Sequence, residues 1–508
     1  MTRSKAYLSL LAVLLCLWQA AAAQDLASFE KRVHVKTLPN GLTVLLLQRP
    51  QAPVFSFYTI VDAGDAQDPV GKTGLAHMME HMAFKGTENI GTTDAVAEKV
   101  ALAKVESAYA AYDHENQRHV GRDEARVAEL KSAWEKARAE ADQFVIKNEF
   151  GEIVERNGGV GLNASTGLDS TQYFYSLPAN RLELWAYLES ERFLHPVLRE
   201  FYKERDVVME ERRMSTDSSP IGRLIEQFLS VAYDGSPYHR PNIGYASDLH
   251  HFSATDAGNF FHTYYVPSNM VVALVGDLDP DATFAVVERY FGRIPGGPKP
   301  EEYITEQTPQ TAERTVVLKD PSQPFYIEGY QRPNYRDKDN EVYSVISSVL
   351  SDGRTSRLYR TLVRDKKIAV AAAGFSGFPG DKYRNLYAIY AVPGRGHSGA
   401  EMATAIHEII QKLKTDGLTP EELKMVKTRS RAALLRGLAN NHGLADKLAT
   451  NQLRYGDWRE MFRHIDHIDD VSNDDVKRVA NEIFVDSNRT VGIMENKNAA
   501  KSANKGGK

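Results

Sequence analysis

The sequence has almost no cysteine. Its single thiol, Cys16, lies inside the first apolar run, so the remainder can form no disulfide and cannot hold a metal through sulfur. Any soft-metal site must be built from histidine and carboxylate. Basic charge is not in excess either: 62 Lys and Arg stand against 67 Asp and Glu, for a formal net charge of −5 with the signs interspersed. No stripe is left to neutralise phosphates, which speaks against nucleic acid as a partner. Beyond the first apolar run there is no stretch of about 18 apolar residues, so no membrane span is expected once that run is removed.

That first run reads as a signal peptide over residues 1–23. Arg3 and Lys5 supply positive charge, Leu8 to Trp18 an apolar segment and Ala20 to Ala23 a small-residue cleavage site. The expected location is therefore outside the cytoplasm, in a bacterial periplasm, with secretion as the alternative. At the other end, residues 496–508 have almost nothing apolar to bury and read as a disordered tail.

Between these ends, 42% hydrophobic content over 508 residues supports sizeable cores. From Val33 to Ala63 apolar residues run and alternate around an Asn40-Gly41 turn, which predicts strands of a largely buried sheet. Helical periodicity takes over at Gly74. The stretch "FSATDAGNFFHTYYVPSNMVVALVG" from Phe252 aligns without a gap on "VSNDDVKRVANEIFVDSNRTVGIME" from Val471, at a constant offset of 219 residues. Ser253 meets Ser472, Asp256 meets Asp475, Val266 meets Val485, Ser268 meets Ser487 and Asn269 meets Asn488. Each copy reads as helix, turn and apolar strand.

The expected fold is α+β, with two tandem homologous sandwich-like domains in a clamshell. The first domain is placed at 30–297 and the second at 313–495, joined by a proline- and glycine-rich linker at 298–312. Residues 98–150 break the symmetry. They read as a charged helical hairpin inserted in the first domain, either a solvated decoration or a docking surface.

The chemistry lies in "GLAHMMEHMAFKGT", Gly74 to Thr87. On a helix, His77 and His81 are one turn apart and bring both imidazoles to bear on one point, with Glu80 on the same face. Catalytic zinc takes three protein ligands and keeps a position for water. The order H-x-x-E-H mirrors the zincin motif and carries the inverzincin signature, with Glu80 placed to take a proton from water. A third ligand is sought in "FYKERDVVMEERRM" from Phe201. There Glu204 and Glu211 share a face two turns apart and Glu210 points away. Glu211 is taken as the ligand, and Glu204 as an acceptor that orients a histidine or the water. The pairs His250-His251 and His464/His467 lack a comparable carboxylate arrangement and read as ordinary helix or loop residues.

On these residues, and on "LNASTGLDSTQYFYSLP" from Leu162 and the repeat, the sequence resembles the pitrilysin and insulinase family of zinc peptidases, of the mitochondrial-processing-peptidase type. The resemblance implies a zinc-dependent endopeptidase that hydrolyses peptides or unfolded polypeptides between its two domains. One zinc would be held by His77, His81 and Glu211, with Glu80 as general base and Glu204 assisting. It also implies that substrate adds as a strand on a sheet edge, matched here by Asn163 and Ala164. Two departures stand out. The interval between His81 and Glu211 holds 129 residues, longer than usual for the family, and the insertion accounts for the excess. Active members also place an arginine and, seven residues later, a tyrosine toward the substrate; here Arg364 is followed at that distance by Ala371. The alternative is thus a non-catalytic or half-catalytic subunit that needs a homologous partner to supply the pair, with a homodimer as the other assembly.

Overall fold

The computed structural model describes residues 26–497. The expected signal peptide at 1–23 and all but the first two residues of the expected tail lie outside them, while Asn496 still belongs to the last strand. Two sheets form the frame. The first has six strands: β1 (Val33–Thr37), β2 (Thr43–Gln48), β3 (Val54–Val61), β4 (Val160–Thr166), β5 (Thr171–Pro178) and β6 (Met270–Gly276). They lie in the order β1-β2-β6-β3-β5-β4, so β4 is an edge. The second has five: β7 (Arg314–Asp320), β8 (Phe325–Arg332), β9 (Ala369–Phe378), β10 (Asn385–Pro393) and β11 (Arg489–Asn496), in the order β7-β11-β8-β10-β9. Pairing is antiparallel except for β2 with β6 and β7 with β11, so the sheets are built to one plan.

Ten helices matter for the site and its support. They are α1 (Leu75–Met82), α2 (Ala95–Asn116), α3 (Glu124–Ala141), α4 (Glu149–Arg156), α5 (Phe201–Arg212), α6 (Pro220–Ala232), α7 (Ala254–Tyr264), α8 (Asn441–Tyr455), α9 (Glu460–Asp470) and α10 (Asn473–Ile483). The internal repeat falls on α7–β6 and α10–β11, and its matched residues do matched work. Ser253 with Asp256, and Ser472 with Asp475, form capping boxes that satisfy the first N–H groups of α7 and α10. Asn269 donates to the carbonyl of Tyr264 at 2.9 Å and Asn488 to that of Ile483 at 2.9 Å, closing the turn into each strand.

Each sheet is buried on both faces, which explains the unbroken apolar run of β2. Val44 and Leu46 face the first core with Phe57, Met78 and Trp185. Leu45 and Leu47 face the opposite way, onto Leu444 and Leu448 of α8 and Trp458, which come from the second half of the chain. The loan is returned: α6, from the first half, covers the outer face of the second sheet with Leu224 and Phe228 against Phe325, Ile327 and Leu386. Gly329 and Gly492 make room for the Phe228 ring, since a Cβ on either would come within 2.9 and 3.1 Å of it. The linker stretch 298–312 carries no helix or strand. Gln307 Oε1 pins it by accepting N–H bonds from Asp234, Gly235 and Ser236 at 2.9 to 3.3 Å.

The insertion is a helical hairpin of α2 and α3, capped by Asp94 and Asp123. Only its outer face is solvated. Its inner face carries Tyr109, Tyr112 and Trp134 onto α5: Trp134 stacks on Tyr112 at 5.4 Å and meets Tyr202 edge-on at 5.2 Å, and the Arg205 guanidinium lies 5.0 Å from the Tyr109 ring. The helix α4 that ends the expected segment belongs to the body of the first half, where Phe150 and Val154 join its core.

Phe228→Ala should cost about 3–5 kcal/mol, because it empties the centre of the shared layer. Chemical denaturation of the purified chain checks this, and a loss below about 1 kcal/mol would show that the second sheet does not depend on α6.

Candidate metal centre

Helix α1 has no side-chain cap of its own, because its N-cap is Gly74 at φ +95°. Glycine is required there: a Cβ would meet Leu249 at 2.8 Å and the carbonyl of Ile243 at 2.9 Å. Asp68 reaches in from the preceding loop and accepts the N–H groups of Gly74 at 2.6 Å and Ala76 at 3.0 Å. Burial pushes its carboxyl up to about 7 despite these bonds. Leu75, Ala76, Met78, Met79 and Met82 sink into the first core. The polar face left over is His77, Glu80 and His81.

Across from it, α5 presents Glu211. One carboxylate oxygen, Oε2, lies 3.7 Å from His77 Nε2 and 3.6 Å from His81 Nε2, and the three donor atoms fall within 4.8 Å of one another. Ligands at about 2.0–2.1 Å around a tetrahedral zinc stand roughly 3.3–3.4 Å apart, so this donor set fits the metal with small adjustments. Among the described residues it is the only such group of three or more. Glu204, one face-repeat earlier on α5, accepts from His81 Nδ1 at 3.4 Å and pairs with Lys85. Burial would raise the Glu204 carboxyl, but the bonds from His81 and Lys85 hold it down at about 2. The same bond to Glu204 pushes the His81 imidazole up, so a metal must compete there with a proton. Burial pushes His77 down, toward the neutral form that can ligate. The carboxylate of Glu80 has no hydrogen bond or ion pair of its own among the described residues. Glu210 turns away and pairs with Arg213.

Asn163 and Ala164 lie on the edge strand β4, with Ala164 opposite Tyr173 and the Asn163 side chain accepting the Ala164 N–H at 2.9 Å. Arg364 is elsewhere, exposed and held by its neighbour Asp365 at 2.7 Å, with no hydrogen bond or ion pair to the histidine cluster. Ala371 sits in β9. His251 and His464 bind single acids, Asp113 at 2.8 Å and Glu341 at 2.9 Å.

Sequence reasoning missed the residue that holds the loop after α1. Arg199 is buried and bidentate to Glu98 at 2.8 and 2.9 Å. It also donates to the carbonyls of Thr87 at 2.7 Å, Ile90 at 2.8 Å and Lys85. The loop can wrap it because Gly86 and Gly91 both sit at φ +91°. No local pattern marks an arginine for this role, whereas Asp68 could have been sought as the capping acceptor ahead of a helix that begins with glycine.

Residues 43–117 match the family model described as Insulinase (Peptidase family M16), and residues 251–430 the one described as Peptidase M16 inactive domain. The chain is 28% identical to the zinc protease PqqE of Helicobacter pylori over 93% of this chain and 95% of that protein. It is 22% identical to a zinc protease, YmxG, of Bacillus subtilis over 89% and 95%. A crystal structure of a protease from Helicobacter pylori superposes with a TM-score of 0.76 at 27% identity, covering 91% of this chain and 99% of that one. The periplasmic protease PqqL of Escherichia coli shares the fold at 16% identity and a TM-score of 0.68, with 93% of this chain matched to 48% of that one.

Arg199→Met should destabilise the protein by about 3–5 kcal/mol, because Glu98 is left buried without its partner. Removing both charges, in Arg199→Met with Glu98→Met, should recover part of that loss. Denaturation midpoints decide it, and equal losses in the single and double variants would show that the pair is not what holds the loop.

Proposed function

Because the chain belongs to the insulinase family of peptidases, M16, we propose that it is a zinc-dependent endopeptidase acting on peptides or unfolded polypeptides held between its two halves. The observation that carries this reading is the convergence of His77, His81 and Glu211 on one point beside an unpaired Glu80. His77, His81 and Glu211 would hold the zinc. When bound, the metal supplies a Lewis acid that polarises the scissile carbonyl and makes water more acidic. The Glu80 carboxylate takes a proton from the attacking water and passes it to the nitrogen of the leaving amine. Glu204 fixes the His81 ring by accepting from Nδ1, which aims Nε2 at the cluster. Substrate adds to the free edge of β4, where its carbonyl displaces the Asn163 side chain from the Ala164 N–H. The character of residues 1–23 supports action outside the cytoplasm, in the periplasm.

A second reading is favoured by Arg364 being tied to Asp365 and by Ala371 standing seven residues later. In it, this chain supplies the metal half of the work and a homologous subunit supplies the arginine and tyrosine. Assaying the purified chain alone and with such a neighbour separates the two; full turnover alone removes the second.

Glu80→Gln should keep zinc, measured by metal analysis, while turnover falls by about 10²–10⁴. Wild-type turnover in that variant sinks the general-base assignment. Glu204→Gln should weaken zinc binding roughly 10–100-fold in competition with a chelator, and unchanged affinity would strip Glu204 of its orienting role.

A further inference from the structure

A recess of about 450 Å³ opens beside the histidine cluster, and the reading above does not use it. Glu80, His81 and Glu204 line one side. The other side is Val145, Ile146 and Lys147, the limb by which the hairpin insertion returns to the body of the first half. That limb is fixed rather than draped: Ile146 N–H donates to Gly91 at 2.9 Å, Thr93 N–H to Phe144 at 2.8 Å, and Val145 bridges to Thr92. Gly91 belongs to the loop wrapped around Arg199, so the wall stands on the same clamp as α1.

The charges around the recess are committed with two exceptions, Glu80 and Lys147. Lys85 pairs with Glu200 and Glu204, Lys203 with Glu200 at 2.5 Å, and Arg199 with Glu98. Lys147 has no hydrogen bond or ion pair from its ammonium among the described residues. A basic side chain entering here finds Glu200 and Glu204 already neutralised and only Glu80 free. An acidic one finds an unpaired ammonium, with the aliphatic Ile146, 37% exposed, beside it to pack its methylenes.

We propose that this recess is a substrate side-chain subsite next to the scissile bond, and that Lys147 makes it select aspartate or glutamate. The proposal rests on the peptidase reading above. The insertion is then a specificity element: its hairpin braces α5 while its returning limb reads the substrate.

The test uses the full chain and a mixed peptide library, with cleavage positions mapped by mass spectrometry, followed by matched peptides carrying Glu, Gln or Lys at the preferred position. Wild type should cut the Glu peptide with a kcat/KM about tenfold above the Gln peptide. Lys147→Ala should collapse that ratio and Lys147→Glu should reverse it in favour of Lys, each with wild-type zinc content and folding midpoint. If both variants keep the wild-type ranking, or wild type shows no acidic preference while cutting peptides, the subsite assignment is overturned and the peptidase reading stands. A zinc-loaded chain that cuts no peptide, alone or with a homologous partner, overturns both.

Discussion

The guanidinium of Arg199 is buried, and the groups that satisfy it come from the loop after α1 and from the first turn of the hairpin insertion. A buried cation without partners would cost several kcal/mol, so those groups have little freedom to leave. Two glycines at positive φ let the loop close around it, and the limb at 145–147 is hydrogen-bonded to that loop in turn. Arg199 also lies just ahead of α5, the helix that carries Glu204 and Glu211. One side chain therefore ties together the end of the histidine helix, the start of the carboxylate helix and both ends of the insertion. The clamp thereby holds the end of the histidine helix against the start of the carboxylate helix.

The two halves are locked as well as joined. Each sheet lends one face to a helix from the other half, and smaller ties run between them. Asp169 accepts from Tyr238 and from the N–H groups of Asp381 at 2.8 Å and Lys382 at 3.1 Å. Lys382 also meets Asp62 at 2.6 Å. Separating the halves would expose two apolar faces at once, at a cost that grows with the area uncovered. Their relative position is thereby held by packing, and the linker adds little to it.

What could be read from the sequence was whatever is written locally. The histidine motif is legible because its spacing alone puts three side chains on one helix face, and Glu204 with Glu211 because seven residues make two turns. The repeat is legible because Ser253 with Asp256, and Ser472 with Asp475, are capping boxes with a fixed spacing. The run Val44 to Leu47 says that both faces of β2 are covered, yet nothing in it says that Leu448 of the other half does the covering. Arg199 and Glu98 are a charge pair 101 positions apart in the chain, and in the sequence each looks like a surface residue. The hairpin reads as a solvated decoration or a docking surface because charge dominates its composition, while Tyr109, Tyr112 and Trp134 gather on the single face that touches α5.

The exchange of helices also orders events in time. As the chain is made from its amino end, the first sheet is complete in strands at Gly276, but its outer face stays bare until α8 arrives. By then four of the five strands of the second sheet have passed. That sheet receives its outer cover, α6, before its first strand exists, and gains β11 last of all. Neither half can finish alone, so folding of this tandem repeat is one late, chain-length event in which the carboxy-terminal part seals the core of the amino-terminal one.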